Sequence, residues 1–338
     1  MLEIQKNVNL ANYTTLRIGS QAEFFAVIKS RADLSEAIAW AKKNKKEIFV
    51  LGGGSNVLIT YKIKGLVLKN EIVGSQLSKE TKTGALLTGN SGENWSKFVH
   101  TAIKEDLYGL ENLYLIHGTV GAAPIQNIGA YGVELKDVFE SLIAVDLKTD
   151  KEKIFKLADC KFGYRDSIFK KKLRGRYFIY QVTVKLSKKS KLNIDYADIK
   201  NKLIEQGIST PTLSNVIRAI QDVRNSKIPS PAVLPNAGSF FKNPEISLGH
   251  FKKLQLEYPD IKSFPSGKKI KVPAAWLIEK AGLKGKKIGP VSMYEKQALI
   301  LVNHGGATAT QVLRHVCRVQ EAVYQKFGIT LESEVNII

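Results

Sequence analysis

The sequence predicts an α+β protein of two or three packed units, and three observations carry that prediction. Its 338 residues exceed what one simple hydrophobic core serves. Strand-type and helix-type apolar spacings follow one another along the chain, with no internal repeat. A proline cluster, Pro229, Pro231 and Pro235, then interrupts the pattern and marks a linker into a new unit. Hydrophobic residues at 44% and charged residues at 24% match ordinary globular chains, which argues against disordered or fibrous architectures.

The elements follow in order. Asp33-Leu34-Ser35-Glu36 reads as a helix N-cap with an acidic residue three positions on, and Leu34, Ala37, Ile38 and Ala41 recur at helical spacing, predicting a helix over 33–45. Residues 47–51 read as a buried strand, Gly52-Gly53-Gly54-Ser55-Asn56 as a glycine turn, and 57–60 as a second strand. Residues 141–147 and 177–186 alternate like antiparallel strands, and 211–225 read as a helix. Beyond the prolines come a helix near 273–281, a strand at 299–302 and a long helix over 309–326, with Val312, Val316, Val319 and Val323 on one face. The stretch 330–338 reads as a terminal strand, on which Glu332 and Glu334 share a face.

Charge and cysteine content narrow the function classes. The chain carries 51 Lys+Arg against 31 Asp+Glu, a net +20, which raises nucleic acid as a partner. The excess is local, however: 71–140 hold 5 basic and 9 acidic residues, whereas 141–210 hold 17 and 8, densest at 170–176. No zinc-finger, RNP or zipper pattern accompanies it, so nucleic-acid binding is disfavoured. A solvated basic loop and attraction of a small polyanion remain open. Two cysteines, Cys160 and Cys317, form neither a disulfide framework nor a metal-ligand spacing, which points to a reducing compartment. The N-terminal stretch lacks a signal peptide's apolar core, and no apolar run reaches the roughly 18 residues of a membrane span. A cytoplasmic protein with no membrane insertion is expected.

Two glycine-rich stretches are candidates for ligand contact. The run 52–56 is not a Rossmann fingerprint, because Val57 stands at the third glycine's place and the run leads into a strand rather than a helix. It is either an ordinary turn or a nest of backbone N–H groups around a phosphate. Within 109–134, Gly118, Gly121, Gly129 and Gly132 lie among small residues with almost no charge, a composition suited to close approach of a large ligand.

Five blocks in order then carry a specific resemblance: Gly52-Gly-Gly-Ser-Asn56, the 109–134 stretch, Tyr164-Arg165-Asp166-Ser167, Asn236-Ala-Gly-Ser239-Phe-Phe-Lys-Asn-Pro244 and Leu331-Glu-Ser-Glu334. Together they resemble the UDP-N-acetylenolpyruvoylglucosamine reductase family, and the extra segment around Tyr196 resembles its longer, type I branch. The resemblance implies a two-part FAD-binding domain of the vanillyl-alcohol-oxidase type, in subdomains 1–70 and 71–225. An α+β substrate-binding domain at 226–328 follows, and the terminal strand 329–338 returns to the active site. It also implies noncovalent FAD, NADPH as electron donor, a UDP-sugar enolpyruvyl ether as substrate in the same cleft, and a monomer. A related FAD-dependent oxidase of the same fold is the alternative within that class.

The implied chemistry adds a hydride and a proton across an enolpyruvyl double bond through an enolate. By the family motif, Arg165 polarises the substrate carboxylate, a task that a permanently charged, bidentate guanidinium suits. Taken alone, Arg165 could instead be a surface partner of Asp166. Ser239 is the implied proton donor; alone, it could be a turn serine. Glu334 is the implied catalytic carboxylate. The cofactor contacts implied are Gly52, Gly53, Gly54, Ser55, Asn56, Gly118, Thr119, Gly121, Ala122, Gln126, Asn127, Gly129, Ala130 and Tyr131. The substrate contacts implied are Tyr164, Tyr196, Arg224, Lys227, Asn243, Lys284 and Gln297, although Lys284 could equally be an exposed turn lysine. Four positions depart from the family pattern: His117 stands where proline is usual, Ala122 where glycine or serine is frequent, Phe264 where a loop tyrosine is usual unless Tyr258 replaces it, and Asn336 where arginine is common.

Overall fold

A computed structural model describes residues 2–338. The chain divides into two compact units. One holds the chain up to Asn9, Gln21–Gly53 and Lys62–Asn225; the other holds Leu10–Ser20, Gly54–Tyr61 and Ser226–Ile338.

The first unit contains two sheets. In one, the strands run Gln5–Asn9, Gln21–Ile28, Ile63–Asn70, Ile48–Leu51, and Ile63–Asn70 is parallel to both neighbours. Leu66, Val67 and Leu68 are all buried there, as expected of a strand covered on both faces. The helix Arg31–Lys43 buries Leu34, Ala37, Ile38 and Ala41. It starts earlier than the sequence suggested: Ser30 is the cap and accepts from the Asp33 N–H at 3.1 Å, while the Asp33 carboxylate accepts from the Lys29 N–H at 2.9 Å. Asp33 is thus the acidic partner of the cap, one turn into the helix.

The other sheet is antiparallel, in the order Glu152–Lys156, Phe139–Asp146, Tyr177–Ser187, Gly84–Asn90, Ser75–Ser78. The helix Trp95–Lys104 buries Trp95, Phe98 and Val99. The Trp95 indole N–H donates to the Leu113 carbonyl at 2.8 Å, anchoring the glycine-rich stretch to the core. The helices Ala197–Glu205 and Leu213–Lys227 meet through Ile199, Leu203, Val216, Ala219 and Ile220.

In the second unit, the strands Asn236–Ser239, Ile300–Asn303, Val291–Met293 and Lys287–Ile288 form a sheet in that order. The helix Ala309–Phe327 buries Val312, Val316, Val319 and Val323 in the core of this unit. Ala274–Lys280 supplies Ala274, Leu277 and Ile278 to the same core. The strand Val57–Leu58 is shorter than predicted and pairs in parallel with Asn336–Ile337, not with the strand before the glycine turn. The terminal strand is likewise shorter than 330–338. Its first part bridges Phe241 through Ser333, and its last part turns to Val57 and Leu58, so no single ladder spans it.

Candidate active site

Within the first unit, the two glycine-rich stretches meet. A Cβ on Gly52 would lie 2.9 Å from the Thr119 Oγ1, and one on Gly53 would lie 3.0 Å from the Gly118 Cα, so only bare backbone fits. The Thr119 hydroxyl is buried beside this contact and has no hydrogen-bond partner among the described residues. Lys69, which sequence reasoning missed, donates from Nζ to the Gly52 carbonyl at 2.6 Å. Its only sequence signal is a lysine directly after the apolar run Leu66-Val67-Leu68.

Gly121 is explained by protein packing, since a Cβ there would sit 2.5 Å from the Ser91 Cβ. Ala122, next to it, is exposed. The Asn127 amide is buried and fully engaged: it donates to the Glu134 carboxylate at 3.0 Å and the Gly163 carbonyl at 3.1 Å, and accepts from the Lys136 N–H at 2.9 Å. Only the Asn127 backbone is left for a ligand. Gln126 accepts from the Lys170 ammonium at 3.3 Å, which gives one residue of the basic run a specific role. Lys171 pairs with Asp166, and Arg176 with Asp146 at 2.7 Å, so part of that run is neutralised locally.

Arg165 lies in the left-handed region, with φ of 52°. Its Nη2 donates to the Gly129 carbonyl at 2.6 Å, and its guanidinium lies 5.3 Å from the centre of the Tyr164 ring. The third block is therefore docked on the second. Asp166 takes Lys171 as an ion-pair partner.

Tyr131, Tyr196 and Arg224 also come together. The two rings make an edge contact at 5.3 Å, and the Arg224 Nη2 donates to the Leu115 carbonyl at 3.0 Å. Burial weakens the hold of Arg224 on its proton, and the hydrogen-bonded Tyr131 hydroxyl opposes that effect. Burial likewise raises the Tyr131 phenol, against the pull of Arg224. His117 is exposed, yet desolvation of its ring by the surrounding protein, with the Arg224 cation adding to it, holds its imidazole below the usual value. Asn112, a second residue missed from sequence, is fully buried beneath this group and donates to the Tyr131 and Asn193 carbonyls, both at 2.9 Å.

In the second unit, the segment that carries Glu334 runs alongside the residues that follow Ser239. The Glu334 N–H donates to the Phe240 carbonyl at 2.8 Å, while Ser333 bridges Phe241. Ser239 is exposed at the end of a strand whose register slips between Asn236 and Ser239, just after Gly238 at φ of 70°. Such an irregularity re-aims a side chain away from the ladder. The buried Asn236 amide fixes the turn, donating to the Pro229 and Leu234 carbonyls at 3.0 and 2.8 Å and accepting from the Gly238 N–H at 3.0 Å.

Gly54 has φ of 65° and packs on the Tyr13 carbonyl, and the Asn56 carbonyl accepts from the Asn336 N–H and from the Asn336 side chain at 3.0 Å. The glycine run thus falls partly in each unit, with Gly54, Ser55 and Asn56 in the second. Of the substrate contacts expected in this unit, Asn243 accepts from the Ala274 N–H at 2.9 Å at the start of a helix. Lys284 forms an ion pair with Glu279 at 2.9 Å, and Gln297 accepts from the Leu299 N–H at 3.3 Å. Lys227 is half-buried.

Sequence comparisons decide the family. A family model described as UDP-N-acetylenolpyruvoylglucosamine reductase, C-terminal domain, matches residues 230–338, and one described as FAD binding domain matches 22–158. A UDP-N-acetylenolpyruvoylglucosamine reductase of Pseudomonas aeruginosa is 44% identical, over 99% of this chain and 99% of its own length. One of Flavobacterium johnsoniae is 42% identical, over 100% of both. The chain belongs to the UDP-N-acetylenolpyruvoylglucosamine reductase family. The crystal structure of a reductase of that name from Thermus caldophilus shares the fold, with a TM-score of 0.69 and 23% identity over 100% of this chain and 99% of that one.

The other three positions expected to depart from the family pattern also have structural settings. Asn336 ties the terminal strand to Asn56. Phe264 is exposed on the strand Phe264–Ser266. The Tyr258 ring packs on Trp276 and Phe327 at 5.6 and 5.4 Å. His117 lies beside Arg224, as described above.

Proposed function

We propose that the protein reduces UDP-N-acetyl-3-O-(1-carboxyvinyl)-glucosamine to UDP-N-acetylmuramate, using NADPH and FAD, in the synthesis of peptidoglycan precursors. The observation that carries this reading is end-to-end identity of 44% with a reductase of that name. The residues present fit the flavin: a strip of bare glycine backbone, a buried unpartnered Thr119 hydroxyl and a lysine cation lie together, a donor set suited to an anionic group. Gly52, Gly53, Gly54, Ser55, Asn56, Gly118, Thr119, Ala122, Gln126, Gly129, Ala130 and Tyr131 would hold it. Gly121 and Asn127 support the path of that backbone. When bound, the flavin supplies the hydride relay between NADPH and the double bond.

The chain's own residues manage charge and protons. Arg165 holds the substrate carboxylate as negative charge builds toward the enolate. Ser239 donates the proton that completes the reduction, and its exposed hydroxyl supports that role. Glu334, held next to Phe240 by its backbone, organises that protonation. Tyr196, Arg224, Lys227, Asn243, Lys284 and Gln297 bind the UDP-sugar, and Tyr164 supports Arg165 from below. The functional division into flavin subdomains 1–70 and 71–225, a substrate domain 226–328 and a returning strand 329–338 belongs to the same proposal. So do a monomeric state and a cytoplasmic location, with which the lack of any helix long and apolar enough to cross a membrane, among the described residues, is compatible.

The test is the visible spectrum of the purified protein. Flavin absorbance should be present, NADPH should bleach it, and the enolpyruvyl UDP-sugar should restore it. A folded protein that holds no flavin and takes up none when FAD is added overturns the proposal.

A further inference from the structure

Lys69 lies on a strand whose preceding residues, Leu66, Val67 and Leu68, are buried. It pairs with Leu51 across the parallel ladder, so its side chain needs to reach only one residue further to meet Gly52. Its ammonium donates to the Gly52 carbonyl at 2.6 Å. Desolvation lowers the proton affinity of this ammonium, and Glu71 opposes the shift. Partial burial of a cation is unfavourable in itself. An apolar residue would serve the strand better, so a lysine here calls for a use other than stability.

That use follows from peptide geometry. The C=O and the N–H of a trans peptide point in opposite directions. Holding the Gly52 carbonyl toward Lys69 therefore turns the Gly53 N–H the other way, and that N–H meets no acceptor among the described residues. The unpartnered Thr119 hydroxyl adjoins the same glycine pair. A fixed cation, an outward N–H and a buried hydroxyl without a partner converge on one short strip.

We infer that Lys69 is a positioning residue for the cofactor cradle: it holds the Gly52–Gly53 peptide with its N–H presented to the ligand and sets a positive charge behind it, matching the anionic diphosphate of FAD. The inference rests on the flavin reading above. It assigns a role to a side chain that acts through Gly52, without itself being a catalytic residue.

The test compares wild type, Lys69→Met and Lys69→Arg in two measurements: the Kd for FAD, from recovery of flavin fluorescence on dilution, and the heat unfolding of the flavin-free proteins. Losing a charge-assisted hydrogen bond predicts an FAD Kd at least about 10-fold higher in Lys69→Met, with a shallower dependence on salt. Lys69→Arg, which keeps charge and donor, should stay within about threefold by the same reasoning. The flavin-free Lys69→Met protein should unfold at the wild-type temperature or above, because a desolvated charge has been removed. A purely structural lysine would lower that temperature along with the affinity. An unchanged Kd in Lys69→Met, or a loss of affinity matched by a loss of stability without flavin, overturns the inference. A wild type that binds no FAD overturns instead the flavin reading beneath it.

Discussion

Ser239→Ala separates chemistry from folding more cleanly than any other substitution in the second unit. The hydroxyl is exposed and ends a strand after a register slip. Its removal leaves no buried group unsatisfied, so the cost in stability should stay within about 0.5 kcal/mol. Reduction by NADPH requires no proton from Ser239, so bleaching of the flavin in stopped flow should keep its wild-type rate. Reoxidation by the enolpyruvyl substrate needs that proton on carbon, and loss of a positioned general acid slows such a step by about 10² to 10⁴, equivalent to roughly 2.7 to 5.5 kcal/mol of barrier. The two half-reactions are followed at the flavin absorbance band, with and without substrate, at matched temperature and salt. Equal slowing of both halves, or less than about tenfold slowing of reoxidation alone, would remove Ser239 from the proton-donor role.

Three further outcomes follow from buried polar groups. Asn236→Ala strips three hydrogen bonds made by a fully buried side chain and should cost about 3 to 5 kcal/mol in urea unfolding; a loss below about 1 kcal/mol would mean that the turn holds without it. Thr119→Val removes a buried hydroxyl that has no partner among the described residues, so the flavin-free protein should unfold at the same or a higher temperature while FAD binds more weakly; unchanged FAD affinity would refute its place in the cradle. Both ring nitrogens of His315 are buried without partners among the described residues, and burial, with Arg318 adding to it, lowers its pKa from 6.5 to about 4. The neutral ring's contribution is therefore intact above pH 6.5 and declines as pH falls toward 4, a span worth about 3 kcal/mol. His315→Leu should flatten the dependence of Tm on pH across that window, and a slope equal to wild type would show that other groups set it.

Much of the site was legible because its chemistry is written in contiguous blocks. The motif 236–239 can be read for a turn because Asn236 bonds within its own neighbourhood, to Pro229, Leu234 and Gly238. Lys69 and Asn112 were not legible, since each acts on a backbone carbonyl distant in sequence, Gly52 for the first and Tyr131 and Asn193 for the second. A side chain that binds backbone leaves no matching residue type at the other end. The role of Asn127 was similarly hidden: its glycine-rich setting suggested a ligand contact, whereas its amide holds Glu134, Gly163 and Lys136.

By itself the sequence determined the family, through the resemblance that its five blocks carry, and the main helices, because apolar periodicity and local caps act over a few residues. The helix Ala309–Phe327 illustrates this, with its valine stripe buried and Thr308 and Gln311 closing a capping box. Only the tertiary structure decided that Gly54–Tyr61 groups with the C-terminal unit, that the strand after the glycine turn pairs with the chain's last residues, and that Glu334 lies beside the Ser239 strand. Those choices depend on strand pairings between segments more than 90 residues apart, whose hydrogen bonds are made by the backbone and are therefore nearly independent of residue type.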